Sequence, residues 1–171
     1  MERLWTPWRY KYLTAAQKKD ECIFCLAKNS ENSLDCYLLY RSELNIIILN
    51  LFPYTNGHLI IAPTMHIPSP VNSTQEQLSE MSFLMTESLK FLKEIYNADG
   101  FNIGMNIGKC AGAGFDQHFH MHILPRWTGD TNFMATIAET RLIPEDLDDT
   151  YQKLLPKYQN LTYKSTKNNK K

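Results

Sequence analysis

Three histidines alternate with apolar residues in the stretch Gln117-His118-Phe119-His120-Met121-His122-Ile123-Leu124-Pro125-Arg126. Side chains of a β-strand point to alternate faces, so this pattern predicts a strand with its imidazoles on one face and Phe119, Met121 and Ile123 on the other. Neighbouring imidazoles on such a strand would stand about 6 to 7 Å apart. The apolar face suits a core, and the histidine face suits nucleophiles or metal ligands. The alternatives are a polar strand face without chemistry and a surface patch that binds metal adventitiously.

The residues before and after this stretch predict an α+β fold. Apolar or β-branched runs indicate strands at residues 35–40, 45–50, 59–62, 101–107 and 118–124. A long helix should follow the third strand, because Ser73 and Glu76 form a capping box and apolar residues then recur at helical spacing as far as Tyr96. A C-terminal helix is predicted over residues 144–158. We therefore expect an antiparallel sheet meander covered by helices.

Length, charge and cysteine usage narrow the class of protein. The 171 residues suit a single domain, and 18 basic residues balance 18 acidic ones, which argues against a nucleic acid polymer as partner. No apolar run is long enough to span a bilayer or to act as a signal peptide, so we expect a cytoplasmic protein with no membrane partner. Its four cysteines are then expected to be thiols or metal ligands.

Cys22 and Cys25 have the two-residue spacing at which two thiolates can bind one tetrahedral zinc ion. The pair supplies only two of four ligands, and the remaining ligands would have to come from His58, His66 or the histidine stretch. A redox motif and a pair of small buried residues are the alternatives.

A small-residue loop lies directly before the histidine stretch, with the sequence Gly108-Lys109-Cys110-Ala111-Gly112-Ala113-Gly114. Backbone N–H groups in such a loop can approach the oxygens of a phosphate closely. A solvent-exposed loop without a ligand is the alternative. Phosphate beside imidazole indicates attack by a histidine nitrogen on phosphorus, through a covalent phosphoramidate.

The histidine stretch resembles the defining motif of the histidine triad (HIT) superfamily of nucleotide hydrolases and transferases. Six further segments are similar to its bacterial branch, which includes diadenosine tetraphosphate phosphorylases: Leu4-Trp5-Thr6-Pro7-Trp8-Arg9, Cys22-Ile23-Phe24-Cys25, Asn56-Gly57-His58-Leu59, Gly104-Met105-Asn106-Ile107-Gly108, Ala111-Gly112-Ala113-Gly114 and Pro125-Arg126-Trp127-Thr128-Gly129-Asp130-Thr131-Asn132-Phe133-Met134. The resemblance implies a HIT-like fold for most of the chain.

The resemblance also implies roles for individual histidines. His120 would be the nucleophile that attacks the α-phosphate of a nucleotide and forms a nucleotidyl-histidine intermediate. His122 would contact the phosphate or the leaving group, and His58 would join the same cluster. A main-chain carbonyl that accepts the proton of one ring nitrogen would leave the other nitrogen of the nucleophile free to attack.

Nucleotide contacts follow from the same resemblance. Asn50 matches the position that contacts ribose, and Asn106 and the backbone around Gly114 and Phe115 match phosphate contacts. Many relatives have a Gln-Ser or Gln-Thr pair just before the triad, where this chain has Gly114-Phe115-Asp116. Backbone amides would therefore have to replace the usual hydroxyl contact.

Zinc-containing relatives imply that Cys22, Cys25, His66 and His118 hold a structural zinc ion. Four protein ligands would close the coordination shell and leave no open position for catalysis. The implied organisation is one HIT-like domain over residues 1–161, with a zinc-linked N-terminal segment at 1–30 and a disordered lysine-rich tail at 162–171.

The expected function is cleavage of dinucleoside polyphosphates such as diadenosine tetraphosphate, with phosphate or water resolving the nucleotidyl-histidine. The alternatives are hydrolysis of nucleoside phosphoramidates or adenylate conjugates, and a non-catalytic nucleotide-binding module. The partner is a small nucleotide, and relatives in the superfamily imply a homodimer.

Overall fold

The fold was analysed in a computed structural model that describes residues 22–131, 137, 143 and 145–164. Its helices are α1 (Ile23–Asn29), α2 (Gln75–Tyr96) and α3 (Leu147–Tyr158). Its strands are β1 (Leu38–Arg41), β2 (Asn45–Leu49), β3 (Leu59–Pro63), β4 (Gly100–Gly104) and β5 (Met121–Arg126). The predicted α+β class, with a long helix between the third and fourth strands, is confirmed.

The five strands form one sheet in the order β1-β2-β3-β5-β4, and every neighbouring pair is antiparallel. The first three strands form the expected meander. β5 then lies between β3 and β4, so that His122 is paired with Ile60 on one side and with Gly104 on the other. This order places the last histidine of the stretch inside the sheet and leaves β4 at its edge.

The strand predicted over residues 118–124 begins only at Met121, so the prediction that all three histidines lie on one strand was wrong. The chain before β5 bonds to the segment after β3: the Phe119 amide donates to the Ile67 carbonyl at 2.8 Å. The alternation of faces nevertheless persists, because Phe119 and Ile123 are both buried in the core on the helix side.

Other strand limits also differ from the predicted ones. The residues before β1 form a 3₁₀ turn, Ser33–Cys36, which ends at Tyr37 in the left-handed conformation with φ 50°, so β1 starts three residues late. The strand predicted over 101–107 is β4 and ends at Gly104. Residues 105–120 therefore form one long connection between β4 and β5.

Both faces of the sheet are covered. Ile47 and Leu49 of β2 point into the larger core, together with residues of α2 and α3. Ile46 and Ile48 point the other way, into a smaller core with Cys22, Phe24 and Ala27. Strands that are buried on both faces read as continuous apolar runs, as the residues of β2 do. The N-terminal helix α1 thus covers the face of the sheet opposite α2.

Helix α2 begins one residue later than the capping box predicted. Thr74, and not Ser73, is the N-cap, and its hydroxyl accepts from the Gln77 amide at 3.1 Å. Thr74 and Gln77 also fit the capping-box spacing, but the Gln77 side chain donates to the carbonyl of Leu44 instead. A contact with the β1–β2 connection thus replaces the reciprocal cap.

Helix α3 is the predicted C-terminal helix, and its N-cap Asp146 accepts from the Asp149 amide at 2.8 Å. The start predicted at residue 144 lies outside the described residues, as do residues 1–21, 132–134 and 165–171 of the predicted segments. The division into one domain and a tail stays a prediction. Among the described helices, none combines the length and the apolar character needed to cross a membrane.

Candidate functional site

Two cysteines and two histidines converge beside the sheet. Cys22 is the residue before α1 and Cys25 lies in its first turn, while His66 follows β3 and His118 precedes β5. The ligand atoms of these four residues all lie within 4.8 Å of one another. The structure therefore brings together the whole predicted metal set.

Three separations within this cluster are close to those of a tetrahedral metal site. The Cys22 sulfur is 3.2 Å from His118 Nδ1, and the Cys25 sulfur is 3.3 Å from His66 Nδ1 and 3.8 Å from His118 Nδ1. Zinc bonds of about 2.0 to 2.3 Å in a tetrahedron place neighbouring ligand atoms about 3.3 to 3.8 Å apart. The donor set and its spacing thus suit a metal ion such as zinc.

His118 is oriented by the backbone. Its Nε2 lies 2.8 Å from the Pro63 carbonyl oxygen, so Nε2 must carry the proton and donate it. Nδ1 is then left with a lone pair that faces the two sulfurs. Burial is the main cause that lowers the pKa of His118 to about 4, which keeps the ring neutral, as a metal ligand must be.

Burial has the opposite effect on the neighbouring thiol. It raises the pKa of Cys22 to about 11, so that this thiol is protonated at neutral pH in the absence of a cation. A bound metal ion supplies the positive charge that stabilises the thiolate. The cluster is therefore complementary to a cation.

His120 is oriented by a different backbone contact. Its Nδ1 lies 3.0 Å from the carbonyl oxygen of His118, so Nδ1–H is the donor and Nε2 carries the free lone pair. Burial lowers the pKa of His120, and only 7% of the residue is exposed. A neutral imidazole with a free Nε2 is the form that can attack an electrophile.

His58 and His122 form a hydrogen-bonded pair whose proton positions follow from their surroundings. The Tyr54 amide donates to His58 Nδ1 at 3.1 Å, so His58 Nε2 carries the proton. That nitrogen lies 2.9 Å from His122 Nδ1, which must accept, and His122 Nε2 is then protonated. Burial lowers the pKa of His58 to about 3 and that of His122 to about 4, with nearby imidazoles as a smaller cause.

These three imidazoles form one row. The ring centroids of His58 and His122 are 5.1 Å apart, and those of His122 and His120 are 4.8 Å apart. A nitrogen lone pair on His120 thus neighbours a ring that offers an N–H donor, which is the combination that a nucleophile and a phosphate contact require.

Two aromatic residues of the site were not predicted from the sequence. Phe24 lies between the two histidine groups, with its ring centroid 5.0 Å from that of His118 and 4.8 Å from that of His120. Tyr54 stacks on His122 at 6.1 Å and is 52% exposed. Phe24 lies in the spacer of the cysteine motif and Tyr54 four residues before His58, so proximity in the chain to predicted residues was the available signal.

The predicted nucleotide contacts are distributed around the row. The Asn50 side-chain Nδ2 lies 3.2 Å from His58 Nδ1, and the Asn50 side-chain oxygen accepts from the Phe52 backbone amide. Asn106 and Gly114 lie in the connection between β4 and β5, where Gly114 is exposed. The Phe115 ring meets the Phe24 ring edge-on at 6.3 Å. Asn50 therefore contacts the row directly, and Phe115 approaches it through Phe24.

Several backbone amides of the glycine-rich loop donate hydrogen bonds within the loop itself. Gly108 and Gly112 adopt φ angles of 82° and 85°, which glycine tolerates best, around a 3₁₀ turn at Lys109–Ala111. The amides of residues 111, 112 and 113 donate to carbonyls within the loop. These three donors are already bonded, so they are not available for the predicted phosphate contact.

The amino-acid sequence matches a family model and a characterised relative. The HIT domain model matches residues 31–129, more than half of the chain. The AP-4-A phosphorylase of Mycobacterium tuberculosis is 31% identical over 160 residues, which cover 88% of this chain and 80% of that protein.

Solved structures agree with the sequence comparisons. A Zn-bound histidine triad family protein from Mycobacterium smegmatis is 27% identical, with a TM-score of 0.65 over 80% of this chain and 92% of that one. A hypothetical histidine triad nucleotide-binding protein from Sulfolobus tokodaii is also 27% identical, with a TM-score of 0.63 over 80% and 88% of the two chains. With its histidine row, its sheet and these matches in agreement, the chain belongs to the HIT domain family.

Proposed function

We propose that this protein cleaves dinucleoside polyphosphates, with diadenosine tetraphosphate as the representative substrate, through a nucleotidyl-histidine intermediate on His120. The observation that carries the proposal is the orientation of His120, whose Nδ1–H donates to the His118 carbonyl and leaves Nε2 free beside His122. The similarity to an AP-4-A phosphorylase supports the choice of substrate class.

In the first step, the Nε2 lone pair of His120 attacks the α-phosphorus. A P–N bond forms and the bond from phosphorus to the bridging oxygen breaks, so the remaining polyphosphate leaves with that electron pair. His122 donates a hydrogen bond from its Nε2–H to the phosphate or to the departing oxygen, and the polyphosphate leaves as an anion. The hydrogen bond from His58 Nε2 to His122 Nδ1 holds His122 in the tautomer that can donate.

In the second step, inorganic phosphate or water attacks the nucleotidyl group and the P–N bond breaks. His120 is regenerated with its lone pair. Phosphate as acceptor yields a nucleoside diphosphate, whereas water yields a nucleoside monophosphate. The acceptor releases its proton to the solvent, and His122 keeps its own throughout.

Zinc bound by Cys22, Cys25, His66 and His118 would be structural in this proposal. It would tie the N-terminal helix to the segments after β3 and before β5, and four protein ligands leave no position for substrate. The Zn-bound relative supports zinc as the metal.

Nucleotide contacts by Asn50, Asn106, Gly114 and Phe115 complete the proposal. Asn50 contacts the row through His58, which supports a place for the ribose near His58. The homodimer and the cytoplasmic location stay predictions.

Product analysis tests the function. The purified protein is incubated with diadenosine tetraphosphate in the presence and absence of inorganic phosphate, and the nucleotides are separated by chromatography. ADP that forms only with phosphate assigns a phosphorylase, and AMP with ATP assigns a hydrolase. Turnover of adenosine phosphoramidate or an adenylate conjugate, without cleavage of the dinucleotide, assigns the alternative substrate class. Nucleotide binding without any turnover or adduct assigns a binding module.

A further inference from the structure

Phe24 is the aromatic residue inside the Cys-x-x-Cys motif, and it is 1% exposed. Its ring contacts His118, a member of the candidate metal cluster, and His120, the proposed nucleophile. One apolar side chain therefore separates the two groups of histidines and touches both.

The contact with His120 constrains the imidazole. The two ring planes are tilted by 38° and their centroids are 4.8 Å apart, so Phe24 packs directly against the imidazole. The ring planes of His122 and His120 make an angle of 72°. The His118 carbonyl accepts a hydrogen bond from His120 Nδ1–H. The hydrogen bond fixes which nitrogen is free, while the aromatic contact limits the swing of the ring about that bond.

Phe24 is itself held by the residues beside it in the chain. Helix α1 has seven residues, which is too short to be stable without tertiary contacts. Cys22 and Cys25 contact His118 and His66, and the Arg41 guanidinium donates to the Lys28 carbonyl at 2.6 Å at the other end of the helix. The position of the Phe24 ring therefore depends on the cysteines that flank it.

We propose that Phe24 is a positioning residue for His120, held in place by the metal cluster and holding the free Nε2 toward the reacting phosphorus. Its kinetic consequence rests on the proposed function, whereas its effect on the orientation of the His120 ring does not. A misplacement of about 1 Å at a reacting group can reduce a rate about 100-fold, so one packing contact is sufficient for a large effect.

The kinetic test compares Phe24→Ala and Phe24→Leu with the control Leu26→Ala, an exposed apolar residue in the same helix. We expect Phe24→Ala to lower kcat for diadenosine tetraphosphate by about 10- to 100-fold with KM within about twofold. Phe24→Leu should recover most of the rate because it restores apolar volume, and Leu26→Ala should match the wild type. Bound zinc per chain and circular dichroism are measured for each variant. The volume-conserving Phe24→Leu keeps the test available if the alanine variant does not fold.

The second measurement is independent of activity. In ¹⁵N-labelled protein, the His120 ring should give the signals of one tautomer, with Nδ1 protonated, and Phe24→Ala should broaden or shift them while zinc content is unchanged. Unchanged His120 signals together with an unchanged kcat would overturn the proposal. So would a loss of activity that only follows a loss of zinc, or one that appears entirely in KM. If the wild type does not turn over, the proposed function fails, and the ring signals still decide whether Phe24 positions His120.

Discussion

The candidate metal cluster and the row formed by His58, His122 and His120 use histidine in opposite orientations. His118 bonds to a carbonyl through Nε2 and presents Nδ1 to two sulfurs, whereas His120 bonds to a carbonyl through Nδ1 and presents Nε2 to the row. Both rings are buried and neutral, because burial lowers the pKa of each. In these two histidines the backbone carbonyl that accepts the ring proton thus fixes which nitrogen keeps its lone pair, Nδ1 in His118 and Nε2 in His120.

The largest effect should come from removing His120, the proposed nucleophile. We expect His120→Asn to lower kcat by about 10³-fold or more and to abolish the covalent nucleotidyl adduct, because loss of a nucleophile removes the covalent pathway. Incubation with radiolabelled diadenosine tetraphosphate and denaturing electrophoresis detect the adduct. Bound zinc should be unchanged. An adduct that persists in this variant would place the nucleophile elsewhere.

A smaller loss of activity should follow from removing the donor next to it. His122→Asn removes the Nε2–H, and loss of one preorganised hydrogen-bond donor to the transition state typically costs about 10²-fold or more, so we expect kcat to fall by about 10²-fold. His58→Gln should act in the same direction because His58 fixes the tautomer of His122. Steady-state kinetics measure both variants. If both variants turned over at the wild-type rate, His122 and His58 would have no role in the reaction.

Variants of the candidate metal cluster should lower the thermal stability more than they lower the catalytic rate. Cys25→Ser removes one of four ligands, and loss of a structural ion should lower Tm by about 10 °C. Thermal denaturation and metal analysis of purified protein test this, with Cys110→Ser, an exposed cysteine outside the cluster, as the control. Equal Tm and equal zinc content in the two variants would show that the cluster holds no structural ion.

The smallest effect should be a pH dependence of the free energy of unfolding that is caused by His58 and His122. The pKa values of His58 and His122 are lowered from 6.5 to about 3 and about 4. Between pH 6.5 and about 4 the unfolded chain therefore binds more protons, so the free energy of unfolding should fall as the pH is lowered through this range. Urea midpoints at pH 7 and pH 4.5 measure the change. His58→Gln removes one such group and should show a shallower dependence, whereas an equal dependence would mean that His58 does not contribute.

The alternation of apolar residues and histidines was sufficient to predict which side of the chain each residue faces. Phe119 and Ile123 are in the larger core, as the pattern indicated. The resemblance to relatives, and not the spacing, selected His66 and His118 as partners of the cysteines. A Cys-x-x-Cys pair carries no information about ligands that are far away in the chain.

Contacts between distant segments explain what the sequence did not predict. The Phe119 amide donates to the Ile67 carbonyl, and β5 therefore begins later than predicted. The Gln77 side chain donates to the Leu44 carbonyl, and the reciprocal helix cap is therefore not formed. The place of Phe24 between two imidazoles depends on how α1 packs against the sheet. Local propensity and periodicity contain no term for such packing.

The position of β5 within the sheet also governs when the site can form during folding. His58 and His122 are 64 positions apart, and Cys22 and His118 are 96 positions apart. Loops of this size are closed late, because their entropic cost is met only when many distant contacts form together. On the ribosome, β2 and β3 emerge long before the strand that carries His122. A growing chain can therefore complete the pairing of His58 with His122, and that of Cys22 with His118, only after these late residues have emerged.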